Sequence, residues 1–416
     1  MGCFASKTTA AESETVSVTL GKSDEASSEE NSSNLNRQDE EITVSPKSQT
    51  PMWRKRNSGS EEARASALDR SPRISIKYQA KEMSRSTINS RRSSQPFDRS
   101  RIGTHTRHGL MPGPRGFSAA KINQDRGVVC WPFNGSYNQA LLCVFDGHGS
   151  KGEKASEFCM KSIPDLLEQD SKALKANPEE CISRNVILLD EMLLGGDLGR
   201  TAMTCGTTST VVYLRGEDCW VACSGDSRCV RGTVTAGSIV SQDLSTDHKP
   251  DLPEEKARFP LLYPVNLALQ SAVEAIPGRP ARVWANGRIG LAMSRSIGDG
   301  ECKLVGVIPD PEIVHVTVSP RGANGSPDGD AFLIVASDGV WEFISSQEAC
   351  EIVYPHLHAI DACTALVKEA VDRWKRFEGS YRDDITAIVV YFPFLDGDDD
   401  DDFEEDSHFK ESADDQ

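Results

Sequence analysis

Four aspartates at the ends of apolar segments are the residues of this sequence best suited to chemistry. Asp146 follows "LLCVF", Asp338 follows "FLIVAS", and Asp383 lies just before "ITAIVV". Asp125 precedes a further apolar run, "GVVCW". Strand ends that share one edge of a sheet converge, so we expect these carboxylates to face one cleft. Carboxylates held that close repel one another and raise each other's pKa unless a cation neutralises them.

Such a set of acids predicts a particular kind of metal site. Oxygen ligands without an accompanying Cys or His cluster select Mg²⁺ or Mn²⁺ rather than zinc. Two such ions, bridged by a carboxylate, generate hydroxide near neutral pH and bind a phosphoryl group from both sides. Gly147 would let the backbone approach a metal ion or its water closely, and His148 would be placed to protonate a leaving group.

Three other interpretations of these residues are less well supported. Residues 147–152 have the glycine spacing of a P-loop, but Glu153 and Lys154 stand where Lys and Ser or Thr are needed. The chain contains no G-x-S-x-G segment, which argues against a Ser-His-Asp hydrolase. A metal nuclease could use the same two-ion chemistry, but the net charge of −17 disfavours nucleic acid as a partner.

The elements that must position these acids follow from the hydrophobic pattern. The order is strands, two helices, strands, two helices and a final strand. Gly225-Asp226 marks a turn, Asn286-Gly287 is a hairpin signal, and several pairs of strands are expected to be joined as hairpins. Because the helices come in pairs rather than alternating singly with strands, the pattern predicts an α+β fold of layers with mostly antiparallel sheets.

Composition divides the 416 residues into three parts. Residues 1–108 are rich in Ser and Arg and nearly lack apolar runs, so we expect them to be disordered. Residues 109–395 carry the apolar segments and are expected to form one large domain. Residues 396–416 form an acidic tail that we also expect to be disordered.

The cysteines and the N-terminus indicate where in the cell the protein is located. The cysteines are scattered singly without a CxxC pair, which indicates buried thiols in a reducing, cytoplasmic compartment. The segment "MGCFAS" fits the myristoylation pattern, with Gly2 as the acceptor and Cys3 as a candidate for palmitate. One myristate binds membranes only marginally, so a second signal such as Cys3 would matter. We therefore expect peripheral association with the cytoplasmic face of a membrane.

Nine segments occur in an order typical of one known family. They are "NQDRG", "VFDGHGSKGEKAS", "TCGTTSTVVYL", "ACSGDSRCV", "STDHKPD", "GLAMSRSIGD", "GVIPDPEI", "ASDGVWEF" and "RDDITAIVV". Over residues 110–395 the chain resembles the metal-dependent protein serine/threonine phosphatases of the PPM family, type 2C. The resemblance implies two central antiparallel sheets packed together and flanked by pairs of α-helices. It also implies hydrolysis of phosphoserine and phosphothreonine in phosphoproteins, without a phospho-enzyme, by a metal-bound hydroxide at a binuclear Mg²⁺ or Mn²⁺ centre.

The resemblance also implies roles for individual residues. Asp146 would bridge two ions, which the Gly147 carbonyl, Asp338 and Asp383 would hold with it. Asp125 would act through water, and His148 would be the general acid. Asp247 would contribute, with Asp338 and Glu342, to a weaker third metal site, and Asp226 would brace a sheet turn close by. Residues 252–281 would form a flap over the substrate groove.

Two departures from the family pattern concern substrate binding. Gln124 stands where many members have Glu, and Ala120 stands where the phosphate-binding Arg is commonest. Lys121 is the nearest cation, and Lys binds phosphate less specifically than a bidentate Arg does. We expect an active, monomeric phosphatase. The alternative is a catalytically weak protein of phosphatase shape, whose tails bind partners at a membrane.

Overall fold

The computed structural model describes residues 76–79, 98–113, 117–259, 273–274, 281–285, 290–322 and 326–395. In chain order, the strands of these parts are β1 Ile76–Gln79, β2 Ile102–Arg107, β3 Leu110–Pro112, β4 Ser118–Ala120, β5 Arg126–Cys130, β6 Gln139–Phe145, β7 Gly147–His148, β8 Gly206–Thr207, β9 Ser209–Arg215, β10 Asp218–Ser224, β11 Arg228–Thr235, β12 Ser238–Asp243, β13 Val273–Glu274, β14 Arg282–Trp284, β15 Gly290–Leu291, β16 Ile297–Gly298, β17 Glu312–Thr317, β18 Gly329–Ala336 and β19 Ile385–Tyr391. The helices are α1 Gly152–Gln169, α2 Ser171–Ala176, α3 Pro178–Gly195, α4 Gly199–Ala202, α5 Pro253–Lys256, α6 Gly300–Lys303, α7 Asp338–Trp341, α8 Ser346–Val353 and α9 Ala359–Phe377.

Two large sheets form the centre of the fold. The first has the order β1-β5-β6-β9-β10-β17 and is antiparallel except between β1 and β5. The second has the order β12-β11-β18-β19-β2 and is antiparallel throughout. The sheets face each other across a buried apolar layer, to which Leu142 and Val212 contribute from the first sheet and Val335 and Ile388 from the second.

Helices cover the outer face of each sheet. Helices α1 and α3 pack on the first sheet, where Ile163 and Leu189 are fully buried against its outward residues. Helices α8 and α9 cover the second sheet through residues such as Val353 and Leu366. The predicted α+β fold, with two central sheets flanked by pairs of helices, is confirmed.

Local signals place two of the helix starts. Asn177 caps α3, its side chain accepting a hydrogen bond from the Glu180 backbone N–H, and Pro178 occupies the first helical position. Ser345 and Glu348 form a reciprocal capping box at the start of α8. These polar groups satisfy backbone donors that a helix start otherwise leaves unpaired.

The predicted boundary at residue 108 is too late in the chain. Strand β2, Ile102–Arg107, pairs with β19 and forms an edge of the second sheet, and Ile102 is buried. Polar residues hide this strand in the sequence because an edge strand buries only part of its surface. Strand β1, Ile76–Gln79, also lies in the segment expected to be disordered. Residues 1–75, 80–97 and 396–416, with the lipidation candidates Gly2 and Cys3, lie outside the described residues.

The segment predicted to form a flap is described only in part. Helix α5 begins it, and the short strands β13, β14 and β15 form a separate three-stranded antiparallel sheet. Phe259, Val283 and Met293 belong to a small apolar core of this region. The predicted hairpin between β14 and β15 is confirmed by the pairing of Val283 with Leu291.

Candidate active site

Strand register brings the predicted acids together in pairs. In the first sheet Arg126 of β5 is paired with Phe145 of β6, so Asp125 and Asp146 leave the sheet at the same end. In the second sheet β18 and β19 are antiparallel neighbours, so Asp338, just after β18, and Asp383, just before β19, share an end. The fold therefore gathers acids that are more than two hundred residues apart in the chain.

A cleft of about 360 Å³ lies where these strand ends meet. Six of the residues predicted from the sequence line it: Lys121, Asp146, Gly147, His148, Asp338 and Asp383. Asp226, Asp299 and Arg282 also line the cleft, although none of them was predicted to act there. We call this cavity the aspartate cleft.

The central carboxylates of the aspartate cleft carry raised pKa values. Burial raises the pKa of Asp146 well above its ordinary value, and the charges of Asp125 and Asp338 raise it further. Burial also dominates the upward shift of the Asp338 pKa, followed by the charge of Asp383. The Asp338 and Asp146 carboxyl groups lie within hydrogen-bonding reach of each other. The ionised cleft is therefore short of positive charge.

Asp125 lies behind the wall of the cleft and is fully buried. Its Oδ2 accepts a hydrogen bond of 2.8 Å from the Ser337 hydroxyl, and its Oδ1 has no hydrogen-bond partner. Burial, followed by the charge of Asp384, raises the pKa of Asp125 to about 7. This placement is consistent with the predicted action of Asp125 at a distance from the reacting groups.

Gly147 occupies a position where a side chain would not fit. A Cβ atom there would come within 2.5 Å of the Gly152 carbonyl oxygen and 2.6 Å of the Gln124 carbonyl oxygen. Gln124 also holds this loop from its side chain, whose Nε2 donates a 2.9 Å hydrogen bond to the Gly149 carbonyl. The Gln124 side chain therefore supports the loop that carries His148.

Lys121 contacts two acids. Its ammonium group pairs with the Asp383 carboxylate and lies 3.4 Å from Asp384 Oδ2. Burial lowers the pKa of Lys121, but the charges of Asp383 and Asp384 outweigh it and the net shift is upward. In this arrangement Lys121 is an ion-pair partner of Asp383 rather than a free cation directed at a substrate phosphate.

His148 forms an ion pair with a residue that sequence reasoning did not assign. Its Nε2 lies 2.6 Å from Asp299 Oδ2, and Asp299 is 2 % exposed. Burial lowers the pKa of His148, but the charge and hydrogen bond of Asp299 raise it, and the net shift is upward. The ring thus lies at the cleft wall, held by a buried carboxylate.

Asp247 does not join the other predicted metal ligands. Its two carboxylate oxygens accept hydrogen bonds of 2.9 and 2.8 Å from Arg228, in a bidentate ion pair. It lines a different cavity of about 420 Å³, which it shares with Ser245 and Glu312. The prediction that Asp247 takes part in a third metal site is not supported, because its oxygens are already neutralised by a guanidinium group.

Comparison with known proteins now identifies the family. Residues 113–376 match the family model for protein phosphatase 2C. The chain belongs to this family. "Probable protein phosphatase 2C 35" of Arabidopsis thaliana is 31% identical over 288 residues, which cover 66% of this chain and 79% of that protein. "Probable protein phosphatase 2C 34" of the same plant is 32% identical over 292 residues, covering 65% and 77%.

A solved structure supports the fold assignment of this phosphatase 2C chain. The "serine-threonine phosphatase 2C from Toxoplasma gondii" matches with a TM-score of 0.54 and 22% identity, covering 69% of this chain and 98% of that one. The predicted family and the enzyme class, protein serine/threonine phosphatase, are confirmed by these matches. Family membership also implies dephosphorylation that depends on Mg²⁺ or Mn²⁺.

The donor atoms in the phosphatase 2C cleft fit such ions. Among the described residues, no group of three or more His, Cys, Asp or Glu side chains could hold a metal ion as it stands. The oxygens nevertheless have the right chemistry: Asp125 Oδ1, Asp226 Oδ1 and Asp338 Oδ1 are buried without a hydrogen-bond partner. Buried carboxylate oxygens that lack a donor are stabilised by a divalent cation.

Three acids of the site were not predicted as functional residues. Asp299 lies in the quoted segment "GLAMSRSIGD", and Asp384 follows Asp383 directly. Asp384 accepts a 2.9 Å hydrogen bond from the Gln124 backbone N–H, and Asp226 accepts one of 2.6 Å from Lys249. The adjacent pair Asp383-Asp384 was the available sequence signal for Asp384, whereas nothing local distinguished Asp299 from a turn residue.

Two further expectations can be compared with the described residues. All the cysteines in these parts of the chain are buried and none forms a disulfide, as their scattered positions predicted. No helix in the described ranges is long and apolar enough to cross a membrane.

Proposed function

We propose that this protein hydrolyses phosphoserine and phosphothreonine in phosphoproteins at a binuclear Mg²⁺ or Mn²⁺ centre in the aspartate cleft. The observation that carries the proposal is the convergence of partly buried carboxylates from both central sheets on one cleft, with the pKa values of Asp146 and Asp338 raised. Such a cleft binds divalent cations because they remove the repulsion among the acids.

The proposed ligands follow from the arrangement of the cleft. Asp146, whose pKa is raised by the charges of Asp125 and Asp338, would contribute to the binding of both ions. Asp338, Asp383 and the Gly147 carbonyl would complete the set, with Asp125 acting through water. When bound, the two ions would neutralise the phosphoryl charge and supply an activated water as nucleophile. Asp247 is left out because Arg228 holds both of its oxygens.

His148 would supply the proton for the leaving group. As the phosphorus–oxygen ester bond breaks, its electron pair stays on the serine or threonine oxygen. A proton on the His148 ring would pass to that oxygen, so an alcohol departs instead of an alkoxide.

Arg282 would bind the substrate phosphate in place of the Arg missing at position 120. It lines the cleft and is exposed. Its Nη1 donates a 2.7 Å hydrogen bond to the Gly290 carbonyl. Among the described residues it forms no ion pair, and it lines the same cleft as Asp146 and Asp338. Lys121, which pairs with Asp383, would play the lesser part.

The proposal is tested by replacing single cleft acids in the full-length protein. We expect Asp146→Asn and Asp338→Asn each to lower kcat/KM on a phosphothreonine peptide with Mn²⁺ by at least ~100-fold, since even residues supporting a metal ligand contribute ~10–100-fold. Chelation of the metal should abolish turnover by the unaltered protein. Asp165→Asn, an exposed acid on α1, is the matched control and should retain full activity.

Retained turnover in either cleft variant, or in the chelated protein, would show that the acids do not carry the reaction. No turnover by the unaltered protein with Mn²⁺ would favour the alternative of a phosphatase-shaped binding protein. In either case the turnover of the Asp165→Asn control shows whether a protein prepared in the same way is correctly folded.

We also propose peripheral membrane association through myristate on Gly2 and palmitate on Cys3. This proposal is supported only by the sequence "MGCFAS". We expect Gly2→Ala to move the protein from the membrane fraction of cells to the supernatant. An unchanged distribution would exclude the lipid as anchor.

A further inference from the structure

The His148–Asp299 ion pair is held in place by more contacts than an exposed surface ion pair. Asp299 adopts a left-handed backbone conformation with φ of +52°, which is uncommon for a residue other than glycine. Its backbone N–H donates a 3.0 Å hydrogen bond to the Cys205 carbonyl. The Ser296 hydroxyl donates a 2.7 Å hydrogen bond to the same Oδ2 that His148 contacts. A backbone strained in this way persists only when its surroundings hold it.

A glycine opposite Asp299 makes room for the carboxylate. A Cβ atom on Gly206 would come within 2.1 Å of Asp299 Oδ2. Gly206 of β8 is paired with His148 of β7 on one side and with Gly298 of β16 on the other. One small sheet therefore aligns the segment that carries His148 with the segment that carries Asp299.

The two ring nitrogens of His148 differ in what can reach them. Nδ1 is buried and has no hydrogen-bond partner, whereas the side chain as a whole is 21 % exposed. Because a carboxylate accepts, the hydrogen bond to Asp299 places a proton on Nε2. Both side chains line the cleft.

We propose that Asp299 is a positioning residue that holds the His148 ring with its Nε2 proton at the cleft wall. The inference rests on the function proposed above. In the reaction the phosphorus–oxygen ester bond breaks, the electron pair remains on the leaving oxygen, and the Nε2–H bond breaks as the new O–H bond forms. In the structure this Nε2–H donates to Asp299 Oδ2, so it would have to turn to the leaving oxygen in this step, and Asp299 acts through His148 by holding the ring and its proton at the cleft wall.

The chemistry of the leaving group supplies a specific test. A serine alkoxide is a poor leaving group and needs the proton, whereas p-nitrophenolate departs readily without one. We expect Asp299→Asn to lower kcat on a phosphoserine peptide by ~30-fold, less than the ~10²–10⁴-fold that general acid catalysis contributes, because the His148 ring itself remains. Turnover of p-nitrophenyl phosphate should change by less than about three-fold, because it depends on the acids and metal but not on the proton donor.

Two further variants keep the test decisive. Asp299→Asn combined with His148→Asn should lose little more peptide turnover than His148→Asn alone, because the two residues act as one unit. If Asp299→Asn does not fold, Ser296→Ala tests the role of Asp299 instead, because it removes the other hydrogen bond to Asp299 Oδ2. Ser296→Ala should lower the ratio of peptide turnover to aryl phosphate turnover several-fold. Asp197→Asn, an exposed acid after α3, is the control and should leave the ratio unchanged.

The outcomes separate this inference from the proposed function. The role of Asp299 would be overturned if Asp299→Asn lost turnover equally on both substrates, or if the double variant lost peptide turnover additively. Where only Ser296→Ala folds, an unchanged ratio of peptide to aryl phosphate turnover would overturn it. Absence of Mn²⁺-dependent turnover of both substrates by the unaltered protein would instead overturn the proposed function.

Discussion

Two groups of acids in this phosphatase 2C chain differ in how far their negative charge is neutralised by other residues. In the aspartate cleft the pKa values of Asp146 and Asp338 are raised, and few cations are near. At the start of the flap segment, Glu255 is surrounded by Arg258, Ser294 and Arg295, a set that we call the Glu255 cluster. Both places hold negative charge, but Glu255 is paired with two arginines, whereas Asp146 and Asp338 form no ion pair among the described residues.

The Glu255 cluster is fully satisfied. Glu255 is 3 % exposed, and each of its oxygens accepts a 2.7 Å hydrogen bond from an arginine, Oε1 from Arg295 and Oε2 from Arg258. Ser294 also donates to the carboxylate. Burial raises the pKa of Glu255, but the bonds from Arg258 and Arg295 outweigh it and hold the pKa well below its ordinary value. The cluster thereby joins α5 to the segment that follows β15.

The difference indicates what each acid is for. A buried carboxylate that serves stability is paired with its own counter-ions, as Glu255 is. A buried carboxylate left without them lowers stability and is retained where an external cation or substrate will supply the charge. Asp146 and Asp338, which form no ion pair among the residues that the structure describes, are of the second kind, which agrees with their proposed function as metal ligands.

The sharpest test of this contrast is the effect of metal on stability. We expect Mn²⁺ to stabilise the unaltered protein by about 2.7 kcal/mol at a concentration one hundred times its Kd. Asp146→Asn should show little of this gain, because it removes the carboxylate that both ions would share. The measurement is urea unfolding with and without Mn²⁺. Equal stabilisation of the two proteins would place the metal outside the aspartate cleft.

Breaking the Glu255 cluster should lower stability instead. We expect Glu255→Gln to cost about 2 kcal/mol at pH 7, below the ~3–5 kcal/mol of a fully buried pair because Arg258 and Arg295 are partly exposed. Glu254→Gln, an exposed neighbour, is the control. Urea unfolding gives the difference directly, and a loss no greater than that of Glu254→Gln would contradict the contrast.

The same variant has a defined pH dependence. Because the pKa of Glu255 is lower in the folded protein than in the unfolded chain, its contribution is complete above the ordinary Glu pKa of about 4.3. The contribution is lost as the pH falls from there through the folded-state pKa. The stability gap between the unaltered protein and Glu255→Gln should therefore narrow below pH ~4, and a constant gap would argue against the ion pairs.

The smallest effect separates Arg295, which pairs with Glu255, from Arg282, which forms no ion pair within the described parts of the chain. We expect Arg282→Ala to raise KM for a phosphopeptide by about ten-fold, the equivalent of one charged hydrogen bond of ~1.5 kcal/mol, with kcat and stability nearly unchanged. Arg295→Ala should destabilise the protein, since it leaves Glu255 short of a partner. Steady-state kinetics and urea unfolding of both variants distinguish them. An unchanged KM in Arg282→Ala would assign the phosphate to Lys121.

Much of the fold and part of the site could be predicted because their signals are local. The apolar runs of β6, β18 and β19 and the helix caps at Asn177 and Ser345 depend on neighbours in the chain. Asp146, Asp338 and Asp383 were identified because each sits at the end of an apolar run. The β2 strand was missed because its residues become part of a sheet only when β19 pairs with them.

The sequence by itself determined which acids stand at strand ends and therefore which chemistry the chain can support. Only the tertiary structure decided which charges meet. Asp247 and Asp146 look alike as residue types, yet Asp247 is neutralised by Arg228, whereas Asp146 lies close to the charges of Asp125 and Asp338. The short sheet formed by β16, β8 and β7 places Asp299 beside His148. The physical reason is that a carboxylate's free energy depends on the charges and burial within a few ångströms, and these come from parts of the chain that are far apart in sequence.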